Sequence, residues 1–220
     1  MKRSLNEIAT ELGTDKASFG HNYVEKYEKF LSEYRDSDIK IFEIGVDKGY
    51  SIKMWKEYFT KAHIYAIDII DKREMQEDRV TVLLGSQNDV KFLDDTDKEY
   101  GPFDIIIDDG SHINEDMTIS FVTLFPLLKP GGLYIVEDLH ACYWPWVQKN
   151  VDSNFTNVIK QLLDHVNASG KTGIGSRLND KTDAVVNQNL MGPMDWWDTQ
   201  IESVHTYRSI VFIKKYEELV

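Results

Sequence analysis

Cysteine is close to absent from this chain. Cys142 is the only one among 220 residues, so neither an intrachain disulfide nor a paired-thiolate metal site can form, and nothing points to an oxidising compartment. Long apolar runs are missing as well. No segment approaches 18 uncharged apolar residues, and the basic start Met1-Lys2-Arg3 has no apolar stretch behind it. The expectation is no membrane insertion, no secretory leader and a cytoplasmic location. Positive charge is in deficit: 25 lysines and arginines face 37 aspartates and glutamates, for a net charge of -12. A nucleic acid or an anionic membrane surface is therefore a poor partner. Two nucleotide motifs are lacking too. Val46, Asp47 and Lys48 separate Gly45 from Gly49, so there is no G-x-G-x-x-G dinucleotide turn, and the glycines around Lys171-Thr172 do not keep the phosphate-loop spacing.

What is present alternates. Apolar β-type runs at 39–45, 63–68, 80–84, 103–108 and 133–136 end in turns. Helical patterns lie among them, one carrying Ile52, Trp55 and Phe59 and another Phe121, Leu124 and Leu128. Strands alternating with helices predict an α/β fold, a doubly wound and mostly parallel sheet. The stretches 201–205 and 209–214, separated by a short polar turn, read as an antiparallel C-terminal hairpin. Residues 1–36 form a helical cap, with one helix at 5–12 and a second through Val24, Tyr27, Phe30, Leu31 and Tyr34. Residues 167–200 show little periodicity and read as an irregular lid or binding loop. The length suits one domain over 1–220, since domains usually run to roughly 250 residues before dividing.

The chemistry concentrates where two strands stop. Ile105-Ile106-Ile107-Asp108-Asp109-Gly110-Ser111-His112 and Leu133-Tyr134-Ile135-Val136-Glu137-Asp138 each pass from an apolar run to a pair of acids. As neighbouring parallel strands, about 4.8 Å apart, they would bring Asp109, Glu137 and Asp138 to one rim of the sheet, with His112 close by. Carboxylates so crowded share a cation or keep a proton. An oxygen-rich set with no thiolate favours Mg²⁺ first, then Mn²⁺ or Ca²⁺. The plainer alternative has Asp108 and Asp109 capping the next helix while Glu137 and Asp138 end a strand in solvent.

Glu43-Ile44-Gly45-Val46-Asp47-Lys48-Gly49 is a glycine turn at the end of the first strand, where missing side chains would let a ligand approach the backbone. The next strand ends on Asp68, about 20 residues after the turn, where α/β nucleotide folds hold a ribose. This order, Glu-x-Gly-x-x-x-Gly, then Asp68, then the polar pair Ser86-Gln87, resembles a class I S-adenosylmethionine-dependent methyltransferase. Asp108-Asp109-Gly110-Ser111-His112, Lys129-Pro130-Gly131-Gly132, Glu137-Asp138 and Tyr143-Trp144-Pro145 resemble, more closely, the metal-dependent macrolide sugar O-methyltransferases. Those enzymes carry an additional N-terminal domain, whereas this chain begins almost at the methyltransferase core.

The resemblance implies a Rossmann-like methyltransferase sheet with S-adenosylmethionine as cofactor. Glu43, Gly45 and Gly49 would border its methionine end, Asp68 its ribose, Ser86 and Gln87 its adenine, and Asp108 the pocket wall. Asp109, Glu137 and Asp138 would be metal ligands, and His112 the general base. Apart from the resemblance, the polar loop 13–21 would let His21 and Lys16 close over the cofactor. The implied partner is a small-molecule or glycan acceptor with vicinal hydroxyls, with a homo-oligomer open to the chain. A catechol-type O-methyltransferase and a nonenzymatic S-adenosylmethionine-binding protein are the rival readings.

Overall fold

A computed structural model describes residues 2–148, 154–167 and 195–217. Most of the irregular stretch expected at 167–200 lies outside the described residues. The elements run α1 (Leu5–Leu12), α2 (Val24–Leu31), β1 (Lys40–Ile44), α3 (Tyr50–Tyr58), β2 (His63–Asp68), β3 (Val80–Leu84), α4 (Val90–Tyr100), β4 (Ile105–Asp108), α5 (Asn114–Leu124), β5 (Leu133–Val136), α6 (Phe155–Val166), β6 (Ile201–Tyr207) and β7 (Ile210–Lys215). Local chemistry explains their ends. Ser4 and Glu7 form a reciprocal capping box at the start of α1, and Gly13 closes it in a left-handed conformation.

Among the described residues the strands form one sheet in the order β3-β2-β1-β4-β5-β7-β6. The first five strands are parallel, β7 runs antiparallel to β5, and β6 pairs antiparallel with β7. This is the doubly wound sheet with an antiparallel closing hairpin that the alternation predicts. Strand order reverses between β1 and β4, and in open α/β sheets the crevice at such a switch point is where ligands bind.

The period of two along each strand divides the core between two faces. Ile41, Ile105, Ile107, Leu133 and Ile135 pack with α1, α2 and α3, whereas Phe42, Ile44, Ile106, Tyr134 and Val136 pack with α4, α5 and α6. The second predicted helix stops at Leu31 and continues only as a 3₁₀ turn, Ser32–Tyr34. The helix after β4 ends at Leu124, short of Leu128, although Leu128 is still buried in the core. Among the described residues no helix is long and apolar enough to cross a membrane.

Candidate active site

Registry decides which acids meet. Ile44, Asp108 and Val136 lie side by side on β1, β4 and β5. One residue further on come Gly45, Asp109 and Glu137, beyond the aligned row at the carboxyl rim. Because successive side chains alternate, the adjacent acids Asp108 and Asp109 part company. Asp109 turns to the face of α1–α3, where Glu43 and Glu137 also point. Asp108 turns to the face of α5.

A cavity of about 510 Å³ opens along this rim, within the size range of pockets for nucleoside-sized ligands. Gly45, Asp68, Ser86, Gln87, Asp109, His112 and Asp138 line it, together with Thr14 and Lys16. Four of the expected site residues stand behind its wall instead. Asp108, expected to line the pocket, is buried on the far face, where Gln87 Nε2 donates to its Oδ1 at 3.1 Å, and Ser120 and Tyr134 also donate to it. Burial pushes its carboxyl up to about 6, against partial relief from Ser120, His112 and Gln87. Glu43 is buried against α3 and accepts from Ser51 Oγ at 3.1 Å and Trp55 Nε1 at 3.2 Å; burial raises it to about 7. Gly49 is the left-handed cap of α3, and a Cβ there would sit 2.7 Å from Met75 Sδ. Glu137 is the fourth.

Its carboxylate faces inward. Glu137 Oε1 accepts from Tyr27 OH and lies 2.8 Å from Lys16 Nζ, which also pairs with Asp109 Oδ2 and comes within 4.0 Å of Glu43 Oε1. Lys16 is only 1% exposed. Burial disfavours its charge, but Asp109, Glu137 and Glu43 outweigh that and hold the ammonium well above the ordinary lysine range. Lys16 is thus an integral member of the acidic cluster. The polar loop 13–21 was the only sign of it in the sequence, because its partners lie 93 and 121 positions away.

Asp138 faces outward. Tyr23 OH donates to its Oδ1 at 2.7 Å, and the imidazoles of His112, His140 and His21 approach it at 3.8, 3.9 and 4.0 Å. Both His112 and Asp138 hold left-handed backbone, at φ +57° and +54°. The β6–β7 turn braces this corner from behind. Ser209 accepts at its carbonyl from Tyr23 OH and Leu139 N, and at its Oγ from His140 N. Outward from His140 the rings continue, Trp144 edge-on to it at 4.7 Å and Trp146 stacked on Trp144 at 5.5 Å, the two indoles 37% and 77% exposed.

Asp109, His112 and Asp138 bring ligand atoms within 4.8 Å of one another. The carboxylates of Asp109 and Asp138, open to the cavity and free of thiolate, fit a hard divalent cation, with Glu137 buried behind them and the His112 imidazole alongside. Asp68 is braced as a binding group: Val46 N and Asp47 N donate to its Oδ2 at 3.0 and 3.2 Å, and Ile70 N donates to its Oδ1 at 2.8 Å. Gln87 ties the two faces together, since its Oε1 accepts from Ser111 N at 2.6 Å while its amide serves Asp108.

The missing side chain of Gly45 also answers a packing need. Its backbone is left-handed, φ +96°, and a Cβ would fall 2.1 Å from the carbonyl oxygen of Asp109. The glycine admits the neighbouring strand end, and its backbone also lines the cavity.

No protein-family model matches the chain. Individual proteins do. The chain is 36% identical to mycinamicin VI 2''-O-methyltransferase of Micromonospora griseorubida over 97% of its own length and 53% of that protein. It is 35% identical to the 8-demethyl-8-alpha-L-rhamnosyl tetracenomycin-C 2'-O-methyltransferase of Streptomyces olivaceus, over 96% of its own length and 54% of that protein. It therefore spans about half the length of these relatives. The solved MycE methyltransferase from the mycinamycin biosynthetic pathway, in complex with Mg, SAH and mycinamycin VI, superimposes with a TM-score of 0.81 at 33% identity, covering 98% of this chain and 55% of that one. Over about half the length of those proteins, the chain shares the fold of the MycE methyltransferase and is homologous to the macrolide sugar O-methyltransferases.

Proposed function

We propose that this chain transfers the methyl group of S-adenosylmethionine to a hydroxyl of a sugar, in a glycoside or glycan whose vicinal hydroxyls meet a divalent cation, Mg²⁺ first, at the Asp109, Glu137 and Asp138 cluster. The observation that carries this is the convergence of Asp109, His112 and Asp138 on one lip of the switch-point cavity whose other end is formed by Asp68, Ser86 and Gln87. Both relatives named above are O-methyltransferases, and the name of one places its methyl on a rhamnosyl compound, which favours a sugar hydroxyl.

S-adenosylmethionine supplies a methyl group on a cationic sulfur, and a divalent ion supplies charge that makes a nearby hydroxyl more acidic. The chain's own groups do the rest. A carboxylate has about four acceptor positions, so Asp68 keeps capacity for ribose hydroxyls after accepting three backbone N–H bonds. Ser86 and Gln87 border the purine end, and Gly45 the methionine end. Glu43 supports that end through Ser51, which lines the cavity. His112 takes the hydroxyl proton at Nε2 as the oxygen bonds to the methyl carbon and the carbon–sulfur pair returns to sulfur. Asp138 stands beside the imidazolium so formed. The exposed faces of Trp144 and Trp146 suit stacking on a ring of the acceptor.

The test is a panel of glycosides and catechols incubated with S-adenosylmethionine and Mg²⁺, with and without EDTA. Methyl transfer to glycosides that EDTA abolishes and Mg²⁺ restores is the expected result. Turnover of catechols alone would overturn the sugar acceptor, and cofactor binding with no turnover and no metal dependence would leave a binding protein.

A further inference from the structure

Lys16 occupies a place that neither the core nor the helix pattern of the cap requires to be charged. Its ammonium lies on the inner side of the acidic cluster, against Asp109 Oδ2 and Glu137 Oε1, while Asp109, His112 and Asp138 converge on the outer side. Asp109 belongs to both groups. Carboxylates that share one buried volume cannot all ionise without positive charge among them, and Lys16 supplies one unit of it at a fixed position.

That position is held firmly. The Lys16 carbonyl accepts from Tyr23 N at 3.0 Å and Val24 N at 3.1 Å, which ties the segment to the start of α2. Tyr27, one turn along α2, donates to the same Glu137 oxygen that the ammonium meets. The side chain therefore reaches the cluster from a backbone anchored on α2, beside Thr14 and Asp15 in the cavity wall.

We propose that Lys16 is a resident counter-ion of this site: its ammonium holds Asp109 and Glu137 together when no divalent cation is bound and competes with that cation for both carboxylates, so that it sets how tightly the site takes metal. This rests on the cation reading given above and adds to it a positioning residue. A divalent ion entering the cluster meets carboxylates already partly neutralised, and its gain is correspondingly smaller. The loop that carries Lys16 feels the ion's arrival at the cavity wall.

Mn²⁺ titration of the purified chain, followed by electron paramagnetic resonance of the free ion, tests this without reference to turnover. Lys16→Met is expected to bind Mn²⁺ more tightly than the wild type by at least about tenfold, because a positive charge beside the ion has gone. Lys16→Arg, which keeps the charge, is expected to stay close to the wild type. A Lys16→Met protein that folds only when Mn²⁺ is present also supports the proposal, since the ion then does what the ammonium did. Equal or weaker Mn²⁺ binding by a Lys16→Met protein that is folded without the ion, or a variant that stays unfolded with and without Mn²⁺, overturns the assignment of Lys16. Failure of both wild type and Lys16→Met to bind Mn²⁺ overturns the cation reading itself.

Discussion

His112 Nε2 stops 3.8 Å short of Asp138 Oδ2, near enough to feel the carboxylate and too far for a hydrogen bond. In the proposed mechanism, an imidazole not hydrogen-bonded to that carboxylate accepts a proton from a hydroxyl placed on the cavity side. His112→Ala is expected to lower kcat by about 10²- to 10⁴-fold, the usual range for losing a general base. Its Mn²⁺ affinity should stay close to that of the wild type. A large loss of Mn²⁺ affinity would make His112 a metal ligand instead.

The same two residues share a backbone conformation that few side chains adopt. A left-handed residue costs roughly 1–2 kcal/mol for most L-amino acids, with Asp and Asn more tolerant and Gly free of the penalty. Asp138→Gly is therefore expected to unfold in urea within about 1 kcal/mol of the wild type despite losing activity. Asp138→Val, β-branched at φ +54°, should be markedly less stable. Similar midpoints for the two variants would show that the backbone there relaxes freely.

Glu43 titrates at about 7 because it is buried. Its folded-state value lies above the ordinary 4.5, so folding takes up a proton between those values. The associated stability is full below about pH 4.5 and is lost as pH rises through 7, an effect on the order of 3 kcal/mol at most. Glu43→Gln mimics the protonated form, since its carbonyl can accept from Trp55 and its amide can donate to Ser51. Urea denaturation at pH 5.5 and pH 8 should show a smaller loss for the variant than for the wild type. Identical pH dependence would remove Glu43 from the account.

Gly45 carries two constraints at once, a left-handed φ and the carbonyl of Asp109 at 2.1 Å from any Cβ. Gly45→Ala is expected to cost about 2 kcal/mol or more, since the obstacle is backbone and cannot swing aside. Because the displaced strand end bears Asp109, Mn²⁺ affinity should fall with stability. An alanine variant with wild-type stability and wild-type Mn²⁺ binding would contradict this packing.

The sheet was legible because its strands are short β-branched runs that stop at turns, and their carboxyl ends announced Asp109, Glu137 and Asp138 together. Parity told more than adjacency did. Asp108 and Asp109 look like a pair in the sequence, yet the period of two sends the first to Ser120 and the second to Lys16. Two helices went unnamed. α4 buries little more than Leu93 and Thr96 on an otherwise charged surface, so its apolar stripe is faint. α6 did carry a signal, Asn154 as cap before Phe155, Ile159 and Leu162 at helical spacing. Tyr23, Tyr27 and the carboxylate partners of Lys16 were hidden for another reason. Their pairings are set by tertiary placement of the cap over the sheet, and no local pattern encodes a contact across more than ninety positions.

The pairing of β7 beside β5, with Ser209 at the turn before it, also dictates an order of assembly. While the chain is being synthesised, the β5 edge that ends in Glu137 and Asp138 has no partner until the residues of β7 have emerged. Tyr23 and His140 likewise wait for Ser209. The amino-terminal cap and the carboxyl-terminal hairpin must therefore meet before this corner of the candidate site acquires its shape, and a nascent chain that stops before Ser209 holds every candidate ligand and no finished site.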